Sequence, residues 1–139
     1  MALAAVQPDI VLIEFTINDA DIRDGVWPEQ SRENHRVMVA ALRKAVPEVS
    51  LALVTLNPPR GWRRLTRPFL GRYLDLYATL AMEEKLGLID LDPVWRAALD
   101  KGAARKLLPD GLHPAPAGVE NITIPALLAA VGPAISEAC

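Results

Sequence analysis

Cysteine is almost absent from this chain of 139 residues; the single one, Cys139, is the last residue. One thiol excludes an internal disulfide, so any core must form by burial alone. Long apolar runs are also missing. None approaches the ~20 residues of a membrane-spanning helix, so no membrane span is expected. The opening "MALAAVQPD" lacks the basic start and long apolar stretch of a secretory leader. With Met1 as the true start, the expected location is cytoplasmic. There is no excess of positive charge: 15 Lys and Arg stand against 17 Asp and Glu, for a net charge of −2. That balance carries no basic footprint for nucleic acid. Internal repeats, low-complexity tracts and a dividing linker are absent too. The length is that of one domain spanning residues 1–139.

What the chain does have is apolar material, 51% of its residues, arranged in alternation. Residues 9–15 form a short continuous apolar run, the pattern of a strand buried on both faces. Residues 28–46 repeat at helical spacing, with Val37, Ala41, Leu42 and Ala45 as the expected apolar stripe, and Pro47 ends them. "VSLALVTL", 49–56, is a second buried strand, stopped by Asn57-Pro58-Pro59. Residues 68–86 predict a helix on Leu70, Tyr73, Leu74, Tyr77, Leu80 and Ala81, with Gly87 placed to cap it. Residues 88–91 predict a third strand, and 93–101 a helix with Pro93 in its first turn. Residues 116–137 are helical in composition, with Pro125 and Pro133 expected to interrupt them. Strand alternating with helix implies an α/β fold: a parallel sheet between helical layers, with right-handed crossovers.

Ligands bind such sheets beyond the carboxyl ends of the strands. In "PDIVLIEFTINDADI", 8–22, an apolar strand delivers Asn18 and Asp19 to that end. Of the two histidines, His35 falls on the polar side of its predicted helix and reads as a surface residue. His113 sits in "LLPDGLHPAPAG", irregular backbone stiffened by prolines. Asp110 precedes it by three positions. A turn folds such positions together, so the carboxylate can hold the Nδ1 proton and leave Nε2 as a base. Alone, Asp110 reads as a turn residue, His113 as loop surface and Asn18-Asp19 as a turn or cap. A cluster of Arg60, Arg63, Arg64 and Arg67 reads first as a solvated surface, and second as a contact for an anionic substrate or a partner. Trp62 beside it either packs or stacks on a sugar ring.

Together, "FTIND" and "DGLHP" on this alternation resemble the SGNH (GDSL-type) ester hydrolases. The first is similar to that family's Gly-x-Asn-Asp block, with Thr16 in place of the glycine. The second is similar to its Asp-x-x-His block before a C-terminal helix. The resemblance implies Ser-His-Asp hydrolysis of carboxylic esters, carbohydrate or lipid, without a cofactor or metal. It makes Asn18 an oxyanion-hole donor, His113 the general base and Asp110 its orienting carboxylate.

One block has no counterpart. The family's nucleophilic serine, in Gly-Asp-Ser at the end of its first strand, is not matched by Ser31, Ser50 or Ser136. Ser31 reads as a helix-start residue and Ser50 as a strand start. The three predicted strands correspond to the last three of the family's five, so the first two are lacking and the strand at 9–15 becomes a bare edge. Such an edge invites pairing with a partner chain or self-association. The isolated chain is therefore expected to be inactive, as a fragment, as a subunit completed by a partner, or as a non-catalytic interaction protein. A divalent-metal site on Asp90, Asp92, Asp110 and His113 is the remaining alternative.

Overall fold

The computed structural model describes residues 5–137, with side chains described through Gly132 except Ala103. The first apolar run forms β1 (Ile10–Ile13), shorter than predicted. Its end turns at once into a single helical turn, α1 (Thr16–Asp19). Helix α2 (Pro28–Ala45) starts on Pro28, whose fixed φ suits a first turn. Strand β2 (Ser50–Thr55) leads to a short helix α3 (Trp62–Leu65) and then to α4 (Leu70–Glu83). Strand β3 (Gly87–Asp90) is followed by α5 (Asp92–Ala98). A wide turn over Leu99–Ala103, kinked at Gly102 with φ +85°, joins it to α6 (Ala104–Leu107). Helix α7 (Pro116–Gly118), a second wide turn over Val119–Thr123 and α8 (Ile124–Glu137) complete the chain. Pro125 lies in the first turn of α8, just after the wide turn, and α8 runs on through Pro133, where an interruption was expected.

The strands form one parallel sheet in the order β1-β2-β3, an α/β arrangement. In the β1–β2 pair, Ile10 lies opposite Ser50 and Ile13 opposite Leu53. Among the described residues β1 has a neighbour on one side only.

Two compact units make up the chain. The first runs through Thr55 and resumes over Thr66–Leu88; the second comprises Leu56–Leu65 and the residues from Ile89 onward. The first unit's core joins Ile13, Leu51 and Leu53 of the sheet to Val39 and Leu42 of α2 and Leu76, Tyr77 and Leu80 of α4. At ~25 cal/mol per Å² of apolar area removed from water, such side chains each contribute about 1.5–3 kcal/mol.

The α2 stripe differs from the prediction. Its buried positions are Ser31, His35, Val39 and Leu42, while Val37 is 61% exposed. The true stripe is rotated because it includes two polar residues that apolar periodicity does not register. Gly87 does not cap α4. Lys85 takes the left-handed turn at φ +53°, and Gly87 lies in β3. A Cβ there would stand 3.0 Å from the Ala52 Cβ, so the close approach of strands accounts for the glycine.

In the second unit Trp95 is fully buried. Gly118 lies against its ring, where a Cβ would come within 2.6 Å of the indole. Leu99, Leu107, Leu108, Leu112 and Ile122 are buried as well.

Candidate active site

The strand-end motif lies in the first unit. Asn18 is exposed on the helical turn α1, with its backbone N–H donating to the Phe15 carbonyl at 3.1 Å. Thr16, at the position where the resemblance expects glycine, is 1% exposed, and its hydroxyl donates to Glu14 Oε1 at 2.9 Å. Burial pushes the Glu14 carboxyl up.

Two buried networks hold this turn, and the sequence identified neither. In one, Ser31 Oγ donates to Asp19 Oδ2 at 2.5 Å. His35, expected on the surface, is 2% exposed. Its Nδ1 donates to the Ser31 carbonyl at 2.7 Å, which assigns the proton to Nδ1 and leaves Nε2 to accept from the Tyr77 hydroxyl at 2.9 Å. That hydroxyl in turn accepts the Phe15 N–H at 2.8 Å. Burial raises the Tyr77 phenol far above its ordinary range, so it stays protonated and able to donate. His35 and Ser31 thus serve to tie α2 and α4 to the tip of β1.

In the second network Arg67 is 5% and Asp21 1% exposed. Arg67 donates from Nε to the Ile17 carbonyl at 2.6 Å and from Nη1 to Thr66 Oγ1 at 2.9 Å. Its Nη2 pairs with Asp21 Oδ2 at 2.9 Å. Arg23 engages the same carboxylate at 2.8 and 2.5 Å. The hydrogen bond from Arg23, helped by Arg67, holds the Asp21 carboxyl well below the usual range despite its burial. Arg67 is therefore an internal strut, not a member of a surface cluster. It supports α1 through the residue just before Asn18.

The histidine loop lies in the second unit. Asp110 Oδ2 accepts from His113 Nδ1 at 2.7 Å, and Oδ1 accepts the backbone N–H groups of Leu112 at 2.9 Å and His113 at 2.8 Å. Arg63 Nη2 reaches Oδ2 at 3.3 Å. These donors, the His113 N–H first among them, hold the Asp110 carboxyl well below its ordinary range. His113 is 73% exposed at its side chain, and with Nδ1 engaged its Nε2 is the nitrogen left to take a proton.

The loop is held from outside by residues the sequence reading passed over. Asn57, read as a strand stop, is 2% exposed and donates from Nδ2 to the Leu112 carbonyl at 2.8 Å. The Arg60 N–H donates to the Gly111 carbonyl at 2.7 Å. Gly111 has φ +80°, and a Cβ there would fall 2.7 Å from the Arg60 carbonyl oxygen; both facts require glycine. The clue to Asn57 was a polar residue closing an apolar run.

The other candidates are placed as follows. Ser31 is buried within its network, and Ser50 opens β2 on an exposed position. The side chain of Ser136 and all of Cys139 lie outside the described residues. Asp92 is held by Arg96 at 2.5 and 3.0 Å, and Asp90 Oδ1 accepts the Asp92 N–H at 3.3 Å. Among the described residues no group of three or more metal-ligating side chains is assembled, and no helix is long and apolar enough to cross a membrane. Beside β1, an apolar groove of about 440 Å³ is lined by Val11, Leu12, Phe15, Met38, Ala41 and Leu42. Leu12 and Phe15 are each 43% exposed.

Solved structures with the same architecture include a GDSL-like lipase candidate from Parabacteroides merdae ATCC 43184 (TM-score 0.77, 20% identity, 93% of this chain and 62% of that one). An acetylxylan esterase from Geobacillus stearothermophilus matches with TM-score 0.73 and 23% identity, over 92% of this chain and 61% of that one. An alpha/beta hydrolase enzyme from the metagenome of Lake Arreo, Spain, matches with TM-score 0.73 and 25% identity, over 94% and 66%. The chain spans about three fifths of the length of the first two. No curated protein matches the sequence. The profile of the GDSL-like lipase/acylhydrolase family matches residues 2–120. That match takes in the strand-end Asn18 and the Asp110–His113 loop alike, and the chain belongs to the GDSL-like lipase/acylhydrolase family.

Proposed function

We propose that this chain supplies the general base and an oxyanion donor of a serine ester hydrolase, within a single partial hydrolase domain, and that the nucleophile comes from a segment outside residues 1–139. The observation that carries this reading is the 2.7 Å contact between Asp110 Oδ2 and His113 Nδ1, which fixes the tautomer a general base needs. The acetylxylan esterase lends support. Its catalytic mutants replace a serine near the start of its chain, and an aspartate and a histidine separated by the same three positions.

In the proposed reaction, His113 Nε2 takes the hydroxyl proton as the serine oxygen bonds to the ester carbonyl carbon. The oxygen that becomes negative accepts an N–H from the Asn18 amide. On collapse the C–O bond to the alcohol breaks, and His113 returns the proton to it. Water then repeats the sequence on the acyl-serine and restores the enzyme. Asp110 keeps the ring oriented and offsets its charge while protonated. The chemistry needs no metal or cofactor. The substrates are small-molecule, carbohydrate or lipid esters.

The groove beside β1 is where a partner strand fits this reading, since main-chain groups there have no neighbour in the described sheet. The test is hydrolysis of p-nitrophenyl acetate by two proteins: the 139-residue chain, and the same chain joined to a preceding serine-bearing segment. The expected outcome is no His113-dependent activity in the first and activity in the second that His113→Ala abolishes. Hydrolysis by the 139-residue chain that His113→Ala removes would refute the missing nucleophile.

A further inference from the structure

Of the four arginines clustered in sequence, Arg67 is internal. Two others, Arg60 and Arg63, line a groove of about 390 Å³ in the second unit, and there they meet a third that sequence spacing did not group with them, Arg105. Trp62, Leu108 and Asp110 complete its working surface. The walls are fastened together by the Arg60 N–H to Gly111 carbonyl bond at 2.7 Å. Trp62 is 55% exposed, an unusual position for the largest apolar side chain, and the Arg63 guanidinium lies 4.2 Å from the centre of its ring.

Charge in this groove is not balanced. Three arginines and one carboxylate line it. That carboxylate, Asp110, already accepts from two backbone N–H groups, His113 and Arg63. Arg60 and Arg105 are exposed and present planar forks that match a carboxylate bidentately. The half-exposed indole of Trp62 supplies apolar surface of the kind that receives the C–H face of a sugar ring.

We propose that this groove is a subsite for a carboxylate-bearing sugar ring, which makes the substrate an ester of an acidic carbohydrate. The assignment rests on the hydrolase reading only for the word substrate; the binding itself does not. Asp110 both borders the groove and holds His113, so a ring seated here lies beside the carboxylate that orients the base.

The test is an NMR titration of the 15N-labelled 139-residue chain at constant ionic strength, with four probes: glucuronate, glucose, acetate and inorganic phosphate. The expected result is saturable shifts of the amides of residues 60–63 and 105 by glucuronate, with a Kd of about 1 mM. Glucose, acetate and phosphate should each bind at least about tenfold more weakly. The Arg60→Gln/Arg105→Gln double variant keeps the Arg60 backbone bond and should weaken glucuronate about tenfold with the rest of the spectrum unmoved. No shift with glucuronate would overturn the proposal. So would equal binding of glucose, which shows that charge is not read, or of acetate or phosphate, which shows that the ring is not. Catalysis does not enter the readout, so failure here leaves the ester-hydrolase reading to its own assay, and the converse.

Discussion

Replacing Arg67 by Met should destabilise the protein by about 3 kcal/mol, although its sequence context suggests a surface side chain. The change removes one partner from an ion pair whose side chains are 4% and 1% exposed. Breaking a buried pair by deleting one partner typically costs 3–5 kcal/mol, because the other charge is left in a poor solvent. Here Arg23 still holds Asp21 at 2.8 and 2.5 Å, which places the loss at the low end. The Ile17 carbonyl and the Thr66 hydroxyl also lose a donor. Equilibrium unfolding in urea is the assay. With a slope of about 2 kcal/mol per M, the midpoint should fall by about 1.5 M. Arg67→Lys should recover less than half of this, since one ammonium cannot span the Ile17 carbonyl, Thr66 and Asp21 at once. Hydrogen exchange should accelerate at the Asn18 and Asp19 amides before it does in β2, because the strut holds α1 locally. A midpoint drop under about 0.5 M in Arg67→Met, about 1 kcal/mol at that slope, would show that the buried pair is not holding the turn.

Gly111→Ala should cost more than about 2 kcal/mol, read by the same unfolding curve, since it adds left-handed strain to a 2.7 Å approach to the Arg60 carbonyl. Tyr77→Phe should cost about 1–3 kcal/mol, because the Phe15 N–H and His35 Nε2 both lose their partner in a buried setting; a smaller loss would mean that water enters. Acid should spare the histidine loop longer than a typical carboxylate contact. The folded Asp110 carboxyl is depressed, so its contribution is present above the unfolded value of about 3.9 and is lost only as pH falls through the lower folded value. The Leu112 and His113 amide signals should hence hold their positions at pH 4 and move only in stronger acid.

Residues whose partners are near in sequence were legible. The alternation of strands and helices follows from local periodicity, and each core element lies within a few residues of its predicted span. Asp110 and His113 were legible for the same reason: three positions apart, they meet by closing one turn. The errors share a cause. His35 looked like a surface residue because polar side chains on a helix ordinarily face water, and Ser31 like a residue that starts a helix. Tyr77, 42 positions from His35, and Asp19, 12 from Ser31, are what make their burial affordable. Arg67 depends on Ile17, 50 positions away, and Asn57 on Leu112, 55 away.

The sequence by itself thus determined which segments bury their backbone, where the sheet delivers its strand tips, and which carboxylate can orient which imidazole. These follow from side-chain period and from turns a few residues long. Only the tertiary structure decided which polar groups are buried. Desolvation of a charge or hydroxyl is tolerated solely where a distant partner arrives to meet it. It also decided that Arg60, Arg63 and Arg105 share one groove and that Arg67 is a buried strut. A residue some 40 positions further on was brought to that groove by packing that local pattern does not encode.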